Sequence, residues 1–246
     1  MQEELFSLRW QGDKLVLLDQ TKLPLETVLI EVNDLEGVWH AIKNLVVRGA
    51  PAIGIAGAFG LYLGVRKSEA VNFSSFYKEF KFCSDYLASS RPTAVNLFWA
   101  LERMEKTLLS HKDRKPRELK EILLKEAETI LKEDEIICRR IGEQGLSLLK
   151  DGMTLLTHCN AGSYATARYG TALAPIYLAK EKGWNLKVFA GETRPLLQGS
   201  RLTTHELMAN GIDVTLITDS MVAFVMQKGW IDGVILGADR VAANGD

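Results

Sequence analysis

The chain of 246 residues is 47% apolar and carries a formal net charge of −1. It can bury a good core in one large domain or two modest ones, and it has no field to draw in nucleic acid or an anionic membrane. An acidic small molecule would have to be held by locally placed arginines. The opening MQEELFSLRW lacks the apolar stretch of a signal peptide, and residues 52–65, the longest apolar run, are too short to cross a bilayer. Cys83, Cys138 and Cys159 are far apart with no C-x-x-C spacing. Neither a disulfide framework nor a zinc site is indicated, and a reducing cytoplasm is expected.

Residues 5–32 alternate apolar and polar around Gln11-Gly12-Asp13, which reads as a hairpin ending at TVLIEV. Asn33 or Asp34 can cap a helix through Leu35–Val46, with Trp39, Ile42 and Val46 on one face. Helices are expected at 51–66, 73–90 and 92–110, and a longest one at 116–150, its charged outer face solvated. Glycines 54, 57, 60 and 64 follow helical spacing and are better suited to close helix packing than to cradling phosphate.

From Met153 the pattern changes to strands near 153–157, 186–190, 213–217 and 233–237, joined by helices near 164–182, 196–210 and 219–228. Strands alternating with helices of that length predict a parallel sheet covered on both faces. The expected class is therefore α/β, with a mostly helical domain carrying a β-hairpin at 1–150 and a Rossmann-like domain at 151–246.

Two apolar strands end in reactive side chains, Cys159 in LLTHCNAG and Asp239 in VILGADRVAANGD. Ligands of open α/β sheets bind beyond the carboxyl ends of the strands, so both should face one crevice and handle protons on a small molecule. Cys159 could equally be a buried filler and Asp239 a turn cap or the partner of Arg240. His158 adjoins Cys159, but neighbours on a strand point to opposite faces, which disfavours a Cys/His nucleophilic pair. Arg48-Gly49-Ala50-Pro51, Arg91-Pro92 and Arg194-Pro195 each place a guanidinium before a proline suited to a first helical turn. An anion such as phosphate would make that arrangement favourable; the plain alternative is an arginine pointing into water. No G-x-G-x-x-G follows a strand and no G-x-x-x-x-G-K-[ST] occurs, so nicotinamide and nucleoside triphosphate readings lack their signature.

RGAPAIG at 48–54, SRPTAVNLFWAL at 90–101, THCNAG at 157–162, ATARYGTALAP at 165–175, ETRPLLQGSRLT at 192–203 and GADRVAANGD at 237–246 occur in order. Together they resemble the methylthioribose-1-phosphate isomerase family, aldose–ketose isomerases of methionine salvage that share a fold with regulatory subunits of a translation-initiation exchange factor. The resemblance implies Cys159 and Asp239 as catalytic residues and Arg48, Gly49, Ala50, Arg91 and Gln198 as substrate contacts, with Arg194 fitting the same logic. It also implies a cytoplasmic homodimer acting on a sugar phosphate with no metal or organic cofactor. The family's chain continues past the GADR loop with further strands and a substrate-touching Asn-Lys pair. The C-terminal sheet is therefore expected to be incomplete here, with apolar edges uncovered. The alternatives are an isomerase of 5-deoxyribose 1-phosphate or ribose 1,5-bisphosphate, a non-catalytic sugar-phosphate sensor and, more remotely, a nicotinamide-dependent oxidoreductase.

Overall fold

The computed structural model describes residues 6–238 and 241–245. The chain divides into two compact units, one of residues 6–21 and 27–134, the other of residues 22–26 and the described residues from 135 onward. The division falls within the long helix near residue 134, where composition does not change.

The first unit opens with β1 (Leu8–Gln11), β2 (Lys14–Leu18) and β3 (Leu29–Val32), an antiparallel sheet in that order. Gly12 turns the hairpin at φ 67°, as the Gln-Gly-Asp signal requires. Asp34, rather than Asn33, caps α1 (Leu35–Lys43) by accepting the Gly37 N–H at 2.8 Å. There follow α2 (Ala50–Val65), α3 (Phe73–Ala88), α4 (Val95–Ser110) and α5 (Pro116–Leu146). Helix α4 begins three residues later than expected because the Ala94 N–H closes a turn on the Arg91 carbonyl at 3.0 Å.

Helix α2 is apolar all round and nearly all its residues are buried, as a central helix requires. Its glycines let the neighbours close in. A Cβ at residue 54 would lie 2.9 Å from the Asn96 carbonyl oxygen, and one at 57 would lie 2.5 Å from Leu97 Cδ1. One at 60 would meet Val38 Cγ1 at 2.7 Å, and one at 64 Cys83 Sγ at 2.8 Å. The packing reading of these glycines is therefore the right one.

The second unit is a parallel sheet of β4 (Thr154–Thr157), β5 (Lys187–Gly191), β6 (Asp213–Ile217) and β7 (Gly233–Val234), ordered β6-β5-β4-β7. Helices α6 (Ala174–Glu181), α7 (Thr204–Ala209) and α8 (Val222–Gln227) join the strands. Leu155 and Val188 pack with Leu173, Ile176, Tyr177 and Leu207 in one cluster, while Leu156 and Ile217 pack with Val225 in another. Strand alternation sends successive residues to these two cores, so helices cover both faces. The α/β expectation holds. Leu216, Phe224, Trp230, Val234 and Leu236 are about half exposed.

Helices α1 and α5 end at Lys43 and Leu146, short of the expected 46 and 150, and the helices after β4 and β5 begin late. Residues 159–173 form a loop with one 3₁₀ turn, Ser163–Ala165, and left-handed backbone at Tyr169 and Gly170. The Thr171 N–H returns to the Ala161 carbonyl at 2.9 Å, closing the loop before α6 can begin. The helical segment after β5 starts with a π turn, Gly199–Thr203, before α7. No helix among the described residues is long and apolar enough to cross a membrane.

Gly54→Ala places a methyl group against backbone and is expected to cost about 1–3 kcal/mol, despite the roughly 1 kcal/mol helix-propensity gain. Gly57→Ala, which meets only the end of the Leu97 side chain, should cost less. Urea unfolding of the two variants checks the order.

Candidate active site

The chain runs β4 to β5 to β6 in one direction and then places β7 on the opposite side of β4. The carboxyl ends of β4 and β7 therefore bound the topological switch point, where open α/β sheets bind ligands. Cys159 lies two residues beyond β4. On the segment after β7, Gly237 passes so close to Ala161 that a Cβ would lie 2.6 Å from the alanine methyl. Asp239 lies outside the described residues.

Cys159 has left-handed backbone, φ 59°, an uncommon conformation for a residue other than glycine. Its N–H donates to Thr193 Oγ1 at 2.8 Å, and its carbonyl accepts from Thr203 Oγ1. The thiol donates to Gln198 Oε1 at 2.9 Å. The structure thus brings two of the expected site residues, Cys159 and Gln198, into direct contact. Cys159 is partly exposed, whereas Cys83 and Cys138 are buried and the Cys83 thiol is pushed up to about 11, chiefly by that burial. Cys159 is the accessible thiol.

His158, also past the end of β4, places its Nδ1 3.8 Å from Asp219 Oδ1. Asp219, two residues beyond β6, accepts the Thr193 N–H on Oδ1 at 2.9 Å and the Arg194 N–H on Oδ2 at 2.8 Å. Those hydrogen bonds, Arg194's first and then Thr193's, hold its carboxyl below the usual carboxylate range.

The loop after Cys159 is anchored by Glu206, which is fully buried. Asn160 Nδ2 donates to Oε1, while the Ser163 N–H at 2.8 Å, the Ser163 hydroxyl at 2.7 Å and the Tyr177 hydroxyl at 2.6 Å donate to Oε2. Burial raises the carboxyl above its usual range, and these donors oppose that rise. Gly162 is required beside it, since a Cβ there would fall 2.1 Å from Glu206 Oε1. Nearby, the Tyr164 hydroxyl and His205 Nδ1 are 2.8 Å apart, and burial lowers the His205 pKa.

The shared helix-entrance rule for the arginines holds only at Arg48. That residue is 6% exposed and precedes Gly49, the N-cap of α2, whose φ of 90° suits glycine and which offers no capping side chain. Ala50 begins the helix and Pro51 lies in its first turn. Pro92 instead sits in the turn closed by Arg91 and Ala94. Pro195 follows a cis peptide bond in a turn closed by the Leu197 N–H on the Thr193 carbonyl at 2.7 Å, and Arg194 is exposed. Both corrections have one cause: a turn hydrogen bond intervenes before the helix. Arg48, Gly49, Ala50 and Arg91 belong to the helical unit.

Sequence reasoning missed Thr193, Thr203, Glu206, Tyr177 and Asp219. The signal for Asp219 was present, because it is a polar side chain just past an apolar strand, the rule that picked out Cys159. Glu206 carried no such signal, since Thr203, Thr204 and His205 beside it are polar as well. Among the described residues, no group of three or more His, Cys, Asp or Glu side chains is placed to hold a metal.

The model of the initiation factor 2 subunit family matches residues 46–246. The methylthioribose-1-phosphate isomerase of Symbiobacterium thermophilum is 62% identical over 96% of this chain and 66% of its own length. The 5-deoxyribose 1-phosphate isomerase of Bacillus thuringiensis strain Al Hakam is 58% identical over 100% of this chain and 71% of its own. Among solved structures, the 5-methylthioribose 1-phosphate isomerase of Pyrococcus horikoshii superposes with a TM-score of 0.93 at 40% identity, over 99% of this chain and 68% of that one. The translation initiation factor eIF-2B subunit delta of A. fulgidus gives 0.87 at 50% identity, over 97% and 69%. The chain spans about two thirds of the length of these relatives.

Glu206→Gln sets an amide N–H against groups that already donate and is expected to cost about 1–3 kcal/mol. Urea unfolding at neutral pH measures it, and an unchanged midpoint would mean that the carboxylate is not the anchor.

Proposed function

The chain belongs to the initiation factor 2 subunit family, in which its near relatives are sugar 1-phosphate isomerases, and we propose that it is an aldose–ketose isomerase of a 5-substituted ribose 1-phosphate. The observation that carries the reading is the partly exposed thiol of Cys159, hydrogen-bonded to Gln198 at the switch point of the parallel sheet. The first substrate to try is 5-methylthioribose 1-phosphate, which would give 5-methylthioribulose 1-phosphate in methionine salvage, in the cytoplasm. 5-Deoxyribose 1-phosphate differs only at the tail and is the second, since relatives named for each sugar match at similar identity.

The chemistry accounts for the residue types. The anomeric oxygen of such a sugar is esterified, so the ring cannot open to a free aldehyde. Opening needs an acid at the ring oxygen, the role we assign to Asp239. A proton must then leave C2 and reach C1. Cys159 as thiolate would carry it through an enol phosphate, after which the C2 oxygen becomes the ketone. In the competing route, hydride moves directly from C2 to C1 while Cys159 stabilises the cation. A terminal amide such as Gln198 can accept from the thiol or, rotated, donate to a thiolate, so it suits either state. Arg48, with Gly49 and Ala50 at the start of α2, and Arg91 are assigned to the phosphate. Arg194 is exposed and is a weaker candidate for the same task.

A second reading is a ligand-binding regulatory protein without turnover, favoured by the likeness to the A. fulgidus initiation-factor subunit. Incubation with each sugar 1-phosphate, following ketose formation, separates the two. The enzyme reading expects turnover that falls by about 10²–10⁴-fold in Cys159→Ser. It expects Arg48→Ala and Arg91→Ala to act mainly on KM. Ligand binding without turnover would support the regulatory reading. In deuterated water, deuterium at C1 of the product argues against a pure hydride shift.

A further inference from the structure

We propose that Asp219 is a positioning residue for the Cys159–Gln198 pair, acting through Thr193. The inference rests on the reading of Cys159 as the reacting thiol and extends it to a residue on a different strand exit.

Three residues other than glycine have left-handed backbone in this cluster: Cys159 at φ 59°, Thr193 at 61° and Leu197 at 55°. Such conformations are uncommon for residues with a side chain and persist where the surroundings over-determine them. Here the determining contacts converge on Thr193. Its hydroxyl oxygen accepts the Cys159 N–H at 2.8 Å, and its carbonyl accepts the Leu197 N–H at 2.7 Å. Gln198 follows Leu197 directly. Both members of the thiol–amide pair are therefore tied to one residue, Cys159 through the Thr193 side chain and Gln198 through its backbone.

Thr193 is in turn held by Asp219. The carboxylate takes the N–H groups of Thr193 and Arg194 on separate oxygens, a fit that a backbone turn presents only in one conformation. The Asp219 N–H points back at Glu192 Oε1 at 3.4 Å, so the exits of β5 and β6 are stitched in both directions. Close packing limits the alternatives, since a Cβ on Gly199 would fall 1.8 Å from the Gly191 carbonyl oxygen. Other anchors act beside it: the Thr193 hydroxyl also donates to the Gly191 carbonyl at 3.3 Å, Thr203 holds the Cys159 carbonyl and Asn160, and Glu206 holds Asn160 and Ser163. Thr193 is the one of these that reaches both Cys159 and, through Leu197, the backbone before Gln198.

Asn in place of Asp219 keeps one acceptor and turns an amide N–H toward the other donor. Without the clamp, Thr193 relaxes toward ordinary backbone angles and the sulfur and amide separate. Thr193→Ser retains the accepting hydroxyl, and Thr193→Val removes it.

The test compares Asp219→Asn, Thr193→Val and Thr193→Ser with the unmodified protein by two readouts. One is the rate of Cys159 alkylation by iodoacetamide as a function of pH, read by mass spectrometry with buried Cys83 and Cys138 as internal references. The other is kcat against KM for the sugar 1-phosphate. Asp219→Asn and Thr193→Val are expected to shift the alkylation profile and to lower kcat by about tenfold or more, with KM moving less. Thr193→Ser should restore both toward the unmodified values. Alkylation profiles superimposable on that of the unmodified protein would overturn the proposal, as would a Ser variant no better than the Val one. If Asp219→Asn fails to fold, Asp219→Glu, which keeps the charge but displaces the two acceptors, takes its place in both readouts, and a profile and kcat equal to those of the unmodified protein would overturn the proposal. If the unmodified protein turns over neither sugar, the function reading fails while the alkylation comparison still judges the positioning.

Discussion

A chain that leaves a β-strand in a left-handed turn must be held there, and at Cys159 two threonine hydroxyls do the holding. One takes the cysteine N–H and the other gives to its carbonyl, so the peptide groups on both sides of the residue are engaged. This is what separates Cys159 from an ordinary buried thiol. Its backbone is fixed by two side chains of the β5–β6 connection, and the partly exposed cysteine gives its thiol to the Gln198 amide. The strand exits of the parallel sheet end close enough together for short side chains to span them. The sheet's topology and the local chemistry are thus parts of one device.

Behind that turn lies a buried carboxylate. Glu206 accepts from an amide, a backbone N–H and two hydroxyls, which compensate part of the cost of burying it. Residues 159–173 form a loop, where a helix was expected from about residue 164, and the Ser163 N–H and hydroxyl in that loop are committed to the carboxylate. Gly162 belongs to the same arrangement, because only a residue without a side chain fits against Glu206.

Much of the fold was legible in the sequence. Periodicity located the hairpin, the helices of the first unit and the four parallel strands, because each is a local pattern of burial. The glycine series in α2 was read correctly from its spacing. What escaped was set by contacts distant in sequence. Glu206 meets Asn160 and Ser163 more than forty positions away and anchors the loop that precedes α6. The turn at Arg91 is closed by a backbone hydrogen bond that no residue type announces, and the one at Arg194 by a backbone bond and the distant Asp219 carboxylate. The site was half visible: Cys159 followed from the rule that a polar residue after an apolar strand faces the crevice. Asp219 satisfies the same rule, but its partners are backbone N–H groups, which a sequence does not display as a motif.

The central claim is that the Cys159 sulfur faces the carbons between which hydrogen moves. It is tested most directly by a crystal structure of the Cys159→Ser protein with a ribose 1-phosphate derivative bound. The account predicts the serine oxygen in contact with C1 and C2 and the Gln198 amide beside the sugar. A sugar bound with those carbons turned away from residue 159, or bound elsewhere on the protein, would contradict it.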